Sequence, residues 1–276
     1  MRFIRSSIAL LALATTVATA AESCKAVSPP YTVALIELYT SQGCSSCPPA
    51  DEWLSRLQPL EAPLHAVPLA LHVGYWDYIG WKDPFARKEF NERQRRLADH
   101  NGSSSVYTPE VFVGGSELAD WGHRDQFTAA LHSVNARPAH ANIDLQAHWI
   151  TAPAGQHDQR LAVQVSWSAD ASARNPQLLL AVKRSGYLTD VRAGENSGSR
   201  LRNDHVVRVW DGPFSTQRQP LTTELSVPAD TGDATLVAIA QDASSGAVLQ
   251  VLELALGSCE TPSGAGHPAN TQASSR

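Results

Sequence analysis

A chain of 276 residues with 43% hydrophobic and 18% charged side chains is long enough to bury more than one core. Its formal net charge is −5 and its Lys and Arg are scattered rather than gathered into a stripe, which argues against nucleic acid and anionic membrane surfaces as partners. The cysteine total, four, is even and so admits a set of disulfides in an oxidising compartment.

Residues 1–20 read as a secretory leader. Arg2 and Arg5 supply the positive end, Ile8 to Val17 the apolar stretch, and Ala18-Thr19-Ala20 the small-residue cleavage site. The apolar stretch falls short of the roughly 20 residues that span a bilayer. A lipid anchor at Cys24 is disfavoured because Glu22 stands where a lipobox needs a small apolar residue. Removing Arg2 and Arg5 takes the formal charge from −5 to −7. The expectation is a periplasmic or secreted protein with no stable membrane insertion.

From residue 32 to 137 strand and helix signals alternate. Val33 to Tyr39 is an apolar run broken only by Glu37, suited to a buried central strand. The Gly43-Cys44-Ser45-Ser46-Cys47 turn follows, then Pro48-Pro49 and a helical face of Trp53, Leu54, Leu57 and Leu60. Prolines suit a first helical turn, so the helix begins beside the cysteines. Leu69 to Val73 reads as a strand, and Asp83-Pro84 as the start of a helix that stops at Asn101-Gly102. Val111 to Val113, Gly114-Gly115 and Glu117 to Ala119 read as a hairpin, and Phe127, Ala130, Leu131 and Val134 line a last helix. This order is the thioredoxin arrangement.

Near Pro138 the pattern changes to period-two runs around Ile143, Val163, Leu178 to Val182, Val206 to Trp210, Leu221 to Val227, Leu236 to Ala240 and Val248 to Leu252. The expected fold class is therefore an α/β thioredoxin-like domain over 32–137, followed by an all-β antiparallel sandwich domain over 140–256. Residues 260–276 are rich in Ser, Gly, Pro and Ala and are expected to be a disordered tail.

The chemistry concentrates at Cys44 and Cys47. A thiol at a helix N-terminus faces the positive end of the macrodipole and free backbone donors, which favour the thiolate. Cys44, the exposed member, is expected to attack, and Cys47 to resolve the mixed disulfide. Thr108-Pro109 precedes a strand where thioredoxin-like proteins place a cis-proline whose neighbour hydrogen-bonds an extended substrate. Glu37, seven residues before Cys44, is either a buried proton shuttle for Cys47 or an inert carboxylate at the sheet edge. Tyr75, Trp76 and Trp81 lie in an aromatic loop that reads as a recognition surface or as a small satellite core. Gly194 to Arg200, with Asp204 and His205, reads first as a solvated connection and second as a binding loop. His65, His72 and His123 lack ligand spacing to one another and read as structural, so neither metal nor other cofactor is expected. The pairing that needs fewest assumptions joins Cys24 to Cys259 as a structural disulfide and leaves Cys44 with Cys47.

The stretches Glu37 to Asp51, His72 to Phe85 and Val106 to Pro109 resemble a family of secreted, thioredoxin-like bacterial proteins catalogued only as a domain of unknown function. Gly194 to Arg208 resembles that family's second half, so the likeness spans most of residues 32 to 255. It implies a thioredoxin-like fold and export. Gly74 stands where the family suggests an acidic residue, and Ser45-Ser46 differs from the Gly-Pro of thioredoxin, which leaves the direction of electron flow open.

The leading expectation is a thiol–disulfide oxidoreductase that exchanges the Cys44/Cys47 disulfide with thiols or disulfides of other exported proteins. Two alternatives use the same pair: a Cu(I) carrier, and a non-catalytic interaction module with a structural disulfide.

Overall fold

The computed structural model describes residues 24–57, 64–150, 155, 157–217, 219–231, 233–257 and 259. The leader expected over 1–20, the tail over 260–276 and Leu60 lie outside them.

After strand β1 (Cys24–Val27), strand β2 (Ala34–Thr40) is buried along its whole length. It pairs in parallel with β3 (Ala66–His72) and antiparallel with β4 (Glu110–Val113), and its other sides are covered by helices. Ala34, Ile36 and Leu38 face α1 (Pro48–Ser55) and α3 (Arg124–Asn135), whereas Leu35 and Tyr39 face α2 (Lys88–His100). This alternation decides which strand residues lie under the cysteine helix. The short strand β5 (Ser116–Glu117) closes that end of the sheet.

Helix α2 starts at Lys88 and not at Asp83. The Asp83 side chain is engaged elsewhere, accepting hydrogen bonds from the backbone N–H groups of Phe85 at 2.9 Å and Gln42 at 2.8 Å. Asp83 thus ties the cysteine turn to the segment before α2 instead of capping a helix.

The remaining strands are β6 (Ala141–Ile150), β7 (Gln159–Ala169), β8 (Pro176–Arg184), β9 (Tyr187–Asp190), β10 (Arg200–Asn203), β11 (Val206–Ser215), β12 (Leu221–Val227), β13 (Thr235–Asp242) and β14 (Val248–Ala255). They form a four-stranded sheet β1-β6-β7-β12 and a two-stranded hairpin β9-β10. They also complete an eight-stranded sheet, β14-β13-β8-β11-β3-β2-β4-β5.

That last sheet corrects the expected fold class. The chain is mainly β, with fourteen strands and three α-helices among the described residues. It does not build an α/β thioredoxin-like domain followed by an all-β antiparallel sandwich, because strands from both sides of Pro138 share one sheet. A strand as apolar as β3 cannot leave its outer edge open to water. Strand β11 takes that edge, with Val206 paired to Ala70 and the Ala70 N–H donating to the His205 carbonyl at 2.8 Å. Strands β8 and β13 are continuous apolar runs because both faces are covered. Leu178, Leu180 and Val182 face the four-stranded sheet, while Leu179 and Ala181 join Phe90 of α2 and Phe112 of β4. Strands β6 and β7 alternate buried and accessible residues because only one face is covered.

Candidate functional site

The turn between β2 and α1 is built from its own backbone. The Cys44 N–H donates to the Ser41 carbonyl at 3.1 Å, the Gly43 N–H to Ser41 Oγ at 3.1 Å, and the Cys47 N–H to the Cys44 carbonyl at 3.3 Å. Gly43 sits in close quarters: a Cβ there would stand 3.1 Å from Cβ of Trp76, which would have to shift slightly. Cys44 and Cys47 are joined in a disulfide with Cα atoms 5.5 Å apart, and Cys47 is the N-cap of α1. The free backbone donors expected at this helix start are absent. Pro48 and Pro49 carry no N–H, the Cys47 N–H is already used, and the helix offers the sulfurs its dipole alone.

The Thr108–Pro109 peptide bond is cis. The Thr108 carbonyl oxygen lies 3.8 Å from Cys44 Sγ and 3.3 Å from Ser46 Oγ, which is itself 3.3 Å from Cys44 Sγ. A disulfide has no hydrogen to donate, so the Ser46 hydroxyl is the donor between these groups. The aromatic loop is anchored into the same place. Trp76 Nε1 donates to Thr108 Oγ1 at 2.7 Å, and Trp81 Nε1 donates to Gln42 Oε1 at 3.1 Å. The Tyr75 hydroxyl is buried without a partner, and it is Tyr78, 81% exposed, that faces outward.

Cys44 is not the exposed cysteine that the sequence suggests: both sulfur residues are 0% exposed. The turn between β9 and β10 is bonded to the backbone around them. Asn196 Nδ2 donates to the carbonyls of Gln42 and Cys44, each at 2.9 Å, and Glu195 Oε2 accepts from the Ser45 N–H at 2.9 Å. The Gly194–Arg200 stretch, read first as a solvated connection, is therefore part of the site. The signal available in the sequence was its likeness to the same family as the cysteine turn.

Glu37 does not join this group. It sits between Ile36 and Leu38, so strand alternation turns it to the α2 face, away from α1. There Arg93 binds it through two contacts, Nε to Oε1 at 2.6 Å and Nη2 to Oε2 at 3.1 Å, with Tyr39 donating to Oε1 at 3.3 Å. Arg93 also donates to Gln241 Oε1 at 2.9 Å and stacks on Trp210. Glu37 is thus one end of a buried ion pair that links both halves of the chain.

The acid on the cysteine side is Asp51, which sequence reading passed over. It follows Cys47 by four residues on α1, a spacing that puts both on one helical face. Burial raises its pKa to about 7; the charge of His72 opposes the rise, and that of Asp83 adds to it. His72 Nδ1 lies 2.8 Å from Asp83 Oδ2, with both side chains enclosed. Burial lowers the His72 pKa, but Asp83 and Asp51 outweigh it and the net shift is upward. Burial likewise works to raise Asp83, but the bond to His72 and the backbone donors of Gln42 and Phe85 bring it below its ordinary value. Thr40 Oγ1 and His72 Nε2 are buried without partners, so this polar cluster under α1 is incompletely satisfied. A second buried carboxyl, Glu110, directly follows Pro109. Burial raises it to about 7 against the Gln94 amide, which donates to Glu110 Oε2 at 2.6 Å, and Glu117 adds to the rise.

Cys24 and Cys259 are bonded, with Cα atoms 5.3 Å apart, and pack against the core between the two larger sheets. Among the described residues, no group of three or more His, Cys, Asp or Glu is placed to hold a metal ion.

Fold and site together define a mainly β protein with a disulfide at a strand–helix junction and a hairpin closed over it. The family model described as "Protein of unknown function (DUF1223)" matches residues 35–241, and the chain belongs to that family. No curated protein matches it. Protein AGR_C_4864 from Agrobacterium tumefaciens is similar in structure, with 24% sequence identity and a TM-score of 0.51 over 82% of this chain and 96% of that one. HBP35 of Porphyromonas gingivalis is similar at 13% identity and a TM-score of 0.58, over 89% of this chain and 82% of that one. At these identities the likeness concerns fold alone.

Proposed function

We propose that the chain is an exported thiol–disulfide oxidoreductase working through Cys44 and Cys47. The observation that carries this reading is the placement of Cys44 Sγ, 3.8 Å from the Thr108 carbonyl and 3.3 Å from the Ser46 hydroxyl, at the start of α1. A staple inside a core would be lined by apolar side chains; at this one Cys44 Sγ meets a carbonyl and a hydroxyl. Export is supported by the leader-like residues 1–20 and by two disulfides, which persist in oxidising compartments. No described helix is long and apolar enough to cross a membrane.

In the reducing direction the Cys44 thiolate attacks one sulfur of a partner's disulfide. That S–S bond breaks, and the departing sulfur leaves as a thiolate that takes up a proton. Cys47 gives its proton to the Asp51 carboxylate and attacks Cys44 Sγ, releasing the partner's second sulfur as a thiolate, which is also protonated. Two electrons have then passed to the partner, whose two thiolates take their protons from water and from Asp51, and the Cys44–Cys47 bond is restored; run backward, the same steps oxidise a partner dithiol. Asp51 suits the acceptor's role because a group with a pKa near the working pH both takes and returns a proton. Glu37, held by Arg93 on the other face, has no part in it.

The test is a Cys47→Ser chain expressed for export. It should accumulate mixed disulfides with other exported proteins, released by reducing agent and absent when Cys44 is also replaced. The full burial of Cys44 favours a second reading, an interaction module whose pair is a permanent staple. A reduction potential below about −300 mV together with no trapped adduct would establish that reading instead.

A further inference from the structure

We infer that the β9–β10 hairpin is a gate over Cys44, with Asn196 and Glu195 as its latch; the inference rests on the cysteine pair being the site of exchange. Attack on a disulfide needs a thiolate to approach a sulfur along the S–S axis, and at 0% exposure neither Cys44 nor Cys47 offers that approach. Some covering element has to move, and the hairpin is the one built to do so.

Its two strands pair only with each other and belong to neither larger sheet. The turn at its tip is closed by its own bonds, Gly198 N–H to the Val191 carbonyl at 2.8 Å and Ser199 N–H to the Asn196 carbonyl at 3.0 Å, so it can swing without coming apart. The base is clamped: the Gly186 N–H donates to Asp204 Oδ1 at 2.7 Å and the His205 N–H to Ser185 Oγ at 3.0 Å. Gly186 and His205, where the chain enters and leaves the hairpin, both have positive φ, 87° and 56°. Between the clamped base and the self-contained tip, hydrogen bonding to the site consists of the two Asn196 bonds, the Glu195–Ser45 bond and Gln42 Nε2 to Thr189 Oγ1 at 3.0 Å. Gly194 adds close contact: a Cβ there would stand 3.3 Å from Cβ of Trp81. The Glu195–Ser45 bond is exposed, while the Asn196 bonds are buried and Tyr187 packs on Phe85 near the base; a tip held to the site by a few polar bonds can lift while the base stays packed, because water replaces each bond that breaks.

The latch also occupies the backbone beside the reactive sulfur. Asn196 takes the Cys44 carbonyl and Glu195 takes the Ser45 N–H, the two polar groups of one peptide unit.

The test follows reduction of the full-length protein by dithiothreitol, in which one thiolate breaks the S–S bond and the second closes the reagent's own ring. Alkylation and peptide mass report the Cys44–Cys47 and Cys24–Cys259 bonds separately. Asn196→Ala, which removes two latch bonds, should speed reduction of Cys44–Cys47 by about tenfold. Glu195→Ala, an exposed change that leaves the core untouched, should speed it by about threefold. Reduction of Cys24–Cys259 should be unchanged in both. Unchanged Cys44–Cys47 rates in both variants, or equal acceleration at both disulfides, would overturn the gate. Because dithiothreitol needs no physiological partner, a failure of the gate is told apart from a failure of Cys47→Ser to trap one.

Discussion

The two disulfides are chemically the same bond in opposite settings. Cys24–Cys259 joins residues 235 apart and packs against the core shared by the two larger sheets. Cys44–Cys47 joins residues 3 apart and meets a hydroxyl, a peptide carbonyl and a polar hairpin tip. In the chain-entropy view the first removes roughly 5 kcal/mol of unfolded-state freedom and the second about 2 kcal/mol. The long bridge is thus accounted for by stability. The small bridge is not, and its polar surroundings point to chemistry.

Separate removal of the bridges is the largest way to break this contrast. Cys24→Ser with Cys259→Ser should lower the thermal midpoint by roughly 10–15 °C, and Cys44→Ser with Cys47→Ser by about 5 °C. Equal losses in calorimetry would mean that the short bridge is also a staple.

A smaller effect separates Glu37, the buried carboxylate of β2, from the cysteine site. Arg93→Met leaves the buried Glu37 carboxyl without its guanidinium partner, and should cost about 3–4 kcal/mol in denaturant unfolding. The rate at which dithiothreitol reduces Cys44–Cys47 should stay within about twofold of the parent, because Glu37 and the cysteines lie on opposite faces of β2. A large change in that rate would restore Glu37 to the site.

These contrasts also mark what the sequence could tell. The cysteine turn, the helix behind it and the strand after Pro109 are local features, set by Pro48-Pro49, by the apolar run into Thr40 and by the spacing of Phe127, Leu131 and Val134. The shared sheet was not legible. It depends on Val206 finding the edge of β3 at Ala70, a pairing across more than a hundred residues that no local pattern announces. Even so, the unbroken apolar run from Leu178 to Val182 was a sign that β8 is covered on both faces. The Asn196 latch was hidden for a similar reason: its partners are main-chain carbonyls, which carry no sequence signature. Glu37 and Asp51 differ in kind, since both were within reach of counting. Alternation with Ile36 and Leu38 removes Glu37 from the α1 face, and the four-residue spacing from Cys47 puts Asp51 on the same side of α1.

Asp51 gives the sharpest test of the cysteine side. Its carboxyl has an ordinary pKa of 3.8 and in the folded chain one of about 7. Between those values the folded state holds a proton that the unfolded state has released, so this group's contribution to stability falls as pH rises from about 4 to about 7 and is level above. Asp51→Asn cannot ionise and should flatten that decline. The variant should gain about 2 kcal/mol on the parent between roughly pH 5 and pH 8, less than the full shift implies because the residue is only partly enclosed. His72, with its pKa raised, is protonated in the folded chain above the unfolded value of 6.5 and also loses stability as pH rises. A residual slope should therefore remain above about pH 6.5. In the same variant the resolving step, followed as release of a small thiol from its mixed disulfide with Cys44, should lose its inflection near pH 7. A purely structural Asp51 would change the stability curve and leave that inflection in place, so the two readouts together separate a proton acceptor from a buried bystander.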